Sequence, residues 1–304
     1  MNHLRATVAV ASVVAAGASA AFAKPGDIFN ANLSSGLVSR YDGNTGAFIG
    51  SFGTGLSRPT GITFGPDGML YVASSGNNQI HKYNPETGQR ISIFSSVSAL
   101  SSPFSIVFGA DKNLYVSSAG QNRVVKLSGV NGGFLGFAST GNLSTPIGLN
   151  FGPDGRLWVC SSGTDSVVRF NSNGSFHSTF ASGPTIDLTT DIAFKGNVAY
   201  IAATIPGHIA RYDATTGAFI DVFAKLPDGG GPVGIAFDLQ GRLIVNDFVK
   251  SRLYRVATDG VVSLLSSEGM SGPENVAVQI PGAAGAALFG LAGVVASQRR
   301  RERA

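Results

Sequence analysis

Six side chains carry most of the chemistry this sequence offers. Asp191, Asn246, Asp247, Glu274 and Asn275 supply carboxylate and amide oxygens, a donor set that suits Ca²⁺ or Mg²⁺ better than Zn²⁺. Asp and Asn at strand ends also close turns through their own backbone. His208 is the one candidate general base, standing beside an irregular Ile205-Pro206-Gly207 turn. The other histidines, His3, His81 and His177, are scattered, and a single histidine with no located partner is more often structural. No Gly-x-Ser-x-Gly elbow, His-Glu-x-x-His pair or phosphate-cradling glycine loop occurs. Cys160 is the one cysteine, so no internal disulfide forms. No cofactor is expected beyond the Ca²⁺ or Mg²⁺ that the oxygen donors would allow.

These residues ride on a repeat. The stretch 145–181, TPIGLNFGPDGRLWVCSSGTDSVVRFNSNGSFHSTFA, reads as four short strands. Its apolar residues alternate, and Gly, Pro, Asn and Asp fill the breaks. The opening strand recurs at Pro59, Pro103, Pro146, Thr189, Pro232 and Pro273, at intervals of 41 to 44 residues. A repeat of that length with four strands is the blade of a β-propeller. The stretch 27–52 is a blade without its opening strand, and 272–279 is an opening strand without its blade. Pairing them closes an all-β, six-bladed propeller through its N- and C-terminal strands and leaves no open edge. Deleting 272–279 is therefore expected to cost the fold.

The ring places Asp191 in the fifth blade, Asn246 and Asp247 in the sixth, and Glu274 and Asn275 in the first. These blades are consecutive, so the donors could converge on one side of the channel mouth, where the other positions are the small Gly61, Ser105, Gly148 and Gly234. Counterparts of Cys160 in other blades are Ala73, Ser117, Ala202 and Asn246, which points to buried packing for the thiol. The fifth blade (187–224) departs from the pattern, with Lys195-Gly196-Asn197 in place of the usual Pro-Asp-Gly turn. Departures from a local rule are where a site is worth seeking. Every third strand carries a basic residue: Arg40, Lys82, Lys126, Arg169, Arg211 and Arg255. A structural role is expected for them, guarding edges and meeting turn carboxylates such as Asp42 or Asp213.

The second and third strands of the repeats read Leu70-Tyr-Val-Ala-Ser-Ser-Gly-Asn-Asn-Gln-Ile80, Leu114-Tyr-Val-Ser-Ser-Ala-Gly-Gln-Asn-Arg-Val124 and Leu157-Trp-Val-Cys-Ser-Ser-Gly-Thr-Asp-Ser-Val167. They resemble the NHL family of propeller repeats. That family's strand-end Asp is replaced by Ser74, Ser118, Ser161 and Ala203, and only Asp247 retains it. Related gluconolactonase-like and virginiamycin lyase-like propellers hold a divalent cation near the channel mouth. The resemblance thus implies, as an alternative function, a metal-dependent lactonase- or lyase-like enzyme using Asp191, Asp247, Glu274 and Asn275, with His208. The serine-for-aspartate replacements and the small mouth residues weigh against it.

The ends differ from the body. Residues 1–23 read as a signal peptide, with Arg5, an apolar run over 8–16 and Ala21-Phe22-Ala23 as the cleavage site. The propeller is assigned to 24–279. Residues 280–304 hold Pro281, the apolar run AAGAALFGLAGVVA and Arg299, Arg300 and Arg301. This tail resembles a PEP-CTERM sorting signal without its Pro-Glu-Pro, which implies an exosortase-like sorting enzyme as partner besides signal peptidase. Removing the five Arg and one Glu of the two ends from the 22 basic and 18 acidic residues leaves 17 of each. A neutral body argues against nucleic acid as a partner. The sequence is read as an exported, membrane- or surface-associated binding or scaffold module of the cell envelope. Its ligand, a glycan or envelope protein, would meet loops at the channel mouth.

Overall fold

The computed structural model describes residues 23–139 and 141–281. These form six four-stranded antiparallel sheets arranged as propeller blades. The inner strands are Pro59–Phe64, Pro103–Phe108, Pro146–Phe151, Thr189–Lys195, Pro232–Phe237 and Pro273–Val278. Each touches the inner strand of the next blade, and the last meets the first. The first blade is composite, as expected: Pro273–Val278 pairs with Ile28–Asn32, setting Ile28 opposite Val278. Closure leaves no inner strand without a neighbour on either side, which is what an all-β ring needs. All but the last residue of the stretch read as a signal peptide, and Arg299, Arg300 and Arg301, lie outside the described residues. Pro281, at their edge, is exposed.

The blades adhere through a repeated aromatic contact. The second-strand aromatic of one blade meets the inner-strand Phe of the next, edge to face. Tyr71 and Phe108 stand 5.0 Å apart, Tyr115 and Phe151 5.0 Å, Trp158 and Phe194 5.0 Å, and Tyr200 and Phe237 5.1 Å. Such pairs contribute about 0.5–1.5 kcal/mol beyond the area they bury. The rule that spaces Tyr and Phe along the sequence is thus a rule about gluing adjacent blades.

The basic third-strand residues serve the same aromatics. Tyr71 and Tyr115 donate to Asp67 and Asp111 at 3.0 Å, and the Trp158 indole donates to Asp154 at 3.0 Å. Lys82 and Lys126 bind the same carboxylates at 2.6 and 2.8 Å, with their ammonium groups over the tyrosine rings. Burial pushes the Asp111 carboxyl up, but hydrogen bonds from Lys126, Asn113 and Tyr115 outweigh it and hold the group at about 2. The basic residues have the structural role expected of them, with different partners from those named. Asp42 pairs with Lys24, and Asp213 caps its own turn through the Thr215 and Thr216 amides. For Lys82, Lys126 and Arg169 the partner is the aspartate of the turn after the inner strand, Asp67, Asp111 or Asp154, and for Arg40 it is Asp27 at 2.6 Å. Where the fifth blade lacks that aspartate, Arg211 takes Asp221 instead, at 2.5 Å.

The strand-end serines are explained as caps. Ser74, Ser118 and Ser161 are each fully buried. Each hydroxyl accepts one backbone N–H and donates to one carbonyl of a single residue ahead of the inner strand, namely Ser57, Ser101 and Ser144. Asp247 does comparable work in the sixth blade, accepting from the Gly231 and Lys250 amides at 2.9 and 3.1 Å. Cys160 is buried, and burial raises its pKa far above the ordinary thiol value, consistent with packing rather than reactivity.

Candidate functional site

The inner strands enclose a cavity of about 490 Å³ on the propeller axis, within the ~300–1,000 Å³ range of small-ligand sites. Its floor is the third residue of each inner strand. Around the ring Gly61, Gly148 and Gly234 alternate with Ser105, Asp191 and Asn275. A Cβ on Gly61 would lie 2.9 Å from the Ser105 Cα, one on Gly148 2.5 Å from the Asp191 Cα, and one on Gly234 2.7 Å from the Asn275 Cα. Packed interiors do not tolerate such approaches, so the three glycines let neighbouring strands close up. The three polar residues are left facing the cavity, and no lining residue lies nearer the starts of the inner strands. The small residues expected at a mouth therefore form a floor.

Above the floor the wall is made by Thr63, Val107, Asn150, Ala193, Ala236 and Ala277. The cavity opens where the inner strands end, at a rim that includes Phe64, Phe194, Phe237, Leu239 and Ile280. Two charged side chains at the rim are already engaged. Lys195 donates to the Gly241 carbonyl at 2.9 Å and lies over the Phe237 ring, while Asp238 accepts from Arg242 Nε at 2.7 Å. The substituted turn of the fifth blade thus lies at the opening, since Lys195 and Gly196 both line it.

Asp191 is the one carboxyl on the floor. It is 6 % exposed, with Oδ1 accepting from the Ile192 amide and Oδ2 from the Ile235 amide, both at 2.9 Å. Burial pushes its pKa up to about 7 despite those two hydrogen bonds. A strand that must bulge between Thr189 and Asp191 brings it there. Beside it, the Ser105 hydroxyl and the Asn275 amide make no hydrogen bond to any described residue. Three hydrogen-bonding groups therefore face the bottom of a channel whose wall is apolar except for Thr63 and Asn150.

The other candidates lie elsewhere. Glu274 does not line the cavity; it is buried on the far side of the floor, pushed up to about 8 by burial with Arg58 pulling the other way. Asn246 is fully buried and donates to Asn30 Oδ1 and to the Glu274 carbonyl. Asp247 is the strand cap described above. His208 is joined to the Thr185 carbonyl at 2.8 Å, in a third strand away from the channel. Asp191 and Asn275 share the floor, but among the described residues no three His, Cys, Asp or Glu side chains come together as metal ligands. The oxygen set does not converge on one point: Asp191 and Asn275 line the cavity, whereas Asn246, Asp247 and Glu274 are buried away from its lining, where Asn246 Oδ1 and Asp247 Oδ2 accept no hydrogen bond from a described residue. Ser105 went unrecognised as a polar floor group. The alternation of Gly with Ser, Asp and Asn at one position of six repeats was the signal that would have found it.

The structure is thus a closed six-bladed propeller with an axial cavity that has Ser105, Asp191 and Asn275 at its inner end. The chain belongs to the virginiamycin B lyase family, whose model matches residues 52–276. Its fold is that of solved propellers of low identity. A catalytically inactive histidine-to-alanine variant of virginiamycin B lyase from Staphylococcus aureus, crystallised with quinupristin, is 16 % identical, with a TM-score of 0.63 over 85 % of this chain and 90 % of that one. The selenomethionine form of the Staphylococcus aureus lyase is 17 % identical, with a TM-score of 0.57 over 71 % and 73 % of the two chains. A chain of the nidogen–laminin complex is 11 % identical, with a TM-score of 0.71 over 84 % and 99 %. No curated protein sequence matches the chain.

Proposed function

We propose that the protein is an exported, envelope-associated binding module that holds a small amphiphile in its axial channel, polar end down. The observation that carries this reading is the floor: Ser105 and Asn275 keep unspent hydrogen-bonding groups, and Asp191 sits between them under a mostly apolar wall. A ligand that is apolar along its length and hydrogen-bonds at its tip would satisfy those groups and cover the wall in one step. Export and anchoring rest on the signal-like residues 1–23 and the apolar, Arg-terminated tail. Processing by signal peptidase and by an exosortase-like enzyme belongs to the same proposal.

Family membership favours a second reading, a lyase, in which Asp191 would be the base because a group poised near 7 suits proton transfer. Against it, none of the described histidines lines the channel, and the one other carboxylate that does, Asp238 at the rim, is paired with Arg242. The test is binding of N-phenyl-1-naphthylamine, a neutral apolar fluorophore with one N–H. The parent is expected to give a saturable rise in fluorescence. Ala236→Trp and Ala193→Phe, which fill the channel, are expected to lose it while keeping the parent's circular dichroism. Equal binding by the filled variants, or none by the parent, would overturn the channel site. Turnover of quinupristin by the parent and not by Asp191→Asn would replace the binding reading with the lyase.

A further inference from the structure

Both ends of the described chain meet at the mouth of the channel. The Gly26 amide donates to the Gln279 carbonyl at 2.7 Å, and the Gln279 amide donates to the Asp27 carbonyl at 2.8 Å. Ile280, the next residue, lines the cavity, and exposed Pro281 follows it. The sequence then enters the uncharged apolar run at 283–296. Three residues separate Gln279 from Ala283, and the four Cα-to-Cα steps reach at most about 14 Å when fully extended. The opposite face of the propeller is much farther. A chain leaving the axis must cross three inter-strand spacings of about 4.8 Å and then climb a six-residue strand of about 20 Å, some 34 Å in all.

We infer that residues 283–296 enter a membrane, as the anchoring reading above has it, and that the face bearing the channel mouth is the one laid against it, so that the channel is filled from the bilayer. The partner is thus a lipid surface, and the ligand an amphiphile already dissolved in it. The inference rests on the binding reading above for the ligand and on the tether length for the orientation. The chemistry of the face fits. Leu239 is exposed beside the opening, and the turn carboxylates that surround it are matched by cations: Asp67 by Lys82, Asp111 by Lys126, Asp154 by Arg156 and Asp238 by Arg242. Exposed Glu86, Lys112 and Asp259 in turns of the same face are of mixed sign, so the face has no strong charge of its own and the tail supplies the attachment. The opposite face, with the strand-end caps and His208, is left for the aqueous side.

The test uses the full chain reconstituted into phosphatidylcholine vesicles, with single cysteines placed on opposite faces of one blade. Gln240→Cys lies in the turn beside the mouth, and Lys250→Cys lies in a turn of the other face; both positions are exposed, and the native Cys160 is buried. Each is labelled with a bimane and quenched by nitroxide-labelled lipid. Quenching several-fold stronger at position 240 than at 250 is expected, and the same contrast is expected between Glu86→Cys on the mouth face and Asn77→Cys on the other. Equal quenching, or stronger quenching at 250 and 77, overturns the orientation. A correct orientation in a protein that fails to bind the fluorophore in solution would sink the binding reading alone. Fluorophore binding with reversed quenching would sink the orientation alone.

Discussion

Replacing Asp191 by Asn should reverse its effect on stability between acid and alkaline pH. In the folded state the carboxyl keeps its proton up to about pH 7, whereas its ordinary value is 3.8. Between those values the folded state binds more protons than the unfolded one, so stability falls as pH rises and levels off above 7. Three pKa units amount to about 4 kcal/mol. The Asn side chain does not titrate, so the variant lacks this fall. It has a cost of its own, because its NH₂ faces one of the two backbone amides, Ile192 or Ile235, that Asp191 accepts from. Leaving that donor unsatisfied costs about 1–3 kcal/mol at every pH. The variant is therefore expected to be the more stable at pH 8, and the balance to move by about 3 kcal/mol towards the parent between pH 8 and pH 5, with the parent ahead below about pH 4. Glu274, pushed up to about 8, adds a similar decline to both proteins over a window reaching higher pH, so it shifts the curves without moving their difference. Urea unfolding at pH 5, 6, 7 and 8 measures both stabilities. Parallel curves for the two proteins would show that Asp191 titrates normally, and the buried floor carboxyl would have to be abandoned.

Three further outcomes follow from the same geometry. Gly148→Ala puts a Cβ 2.5 Å from the Asp191 Cα, where only backbone can yield, whereas Gly50→Ala meets nothing within 4 Å. The first should lower stability by about 1–3 kcal/mol and the second should be near neutral, with thermal melts of the pair as the check. Ser161→Ala removes the hydroxyl that serves both the amide and the carbonyl of Ser144, so a loss of about 1–3 kcal/mol is expected in urea unfolding; a melt unchanged from the parent would contradict the capping role. Adding Ca²⁺ or Mg²⁺ after EDTA should leave the melting temperature flat. A rise of roughly 5–10 °C, the size a site filled to about 100 times its dissociation constant gives in a domain this large, would restore the metal reading.

The fold was legible because each blade repeats a complete set of instructions. The opening proline, the aromatic that meets the next blade's Phe, the turn aspartate of Asp67, Asp111, Asp154 and Asp238 and the basic third strand recur in register, so each copy corroborates the others. The orphan strand at Pro273–Val278 had no partner except Ile28–Asn32, and closure followed. The site was harder to read for the same reason. Asp247 and Ser161 occupy equivalent strand ends and do comparable capping work, so exchanging a carboxylate for a hydroxyl there says nothing about metals. The spacing of Glu274 and Asn275 along one strand does not reveal that their side chains part company, one buried beyond the floor and the other facing the channel. Which end of the channel opens is a property of the assembled ring. It is decided by three glycines whose meaning appears only when the polar residue of the following blade is set against each. Gly61, Gly148 and Gly234 look like gaps in a row of functional positions. In the ring they are the contacts that narrow the channel, and by narrowing it they leave Ser105, Asp191 and Asn275 facing the cavity.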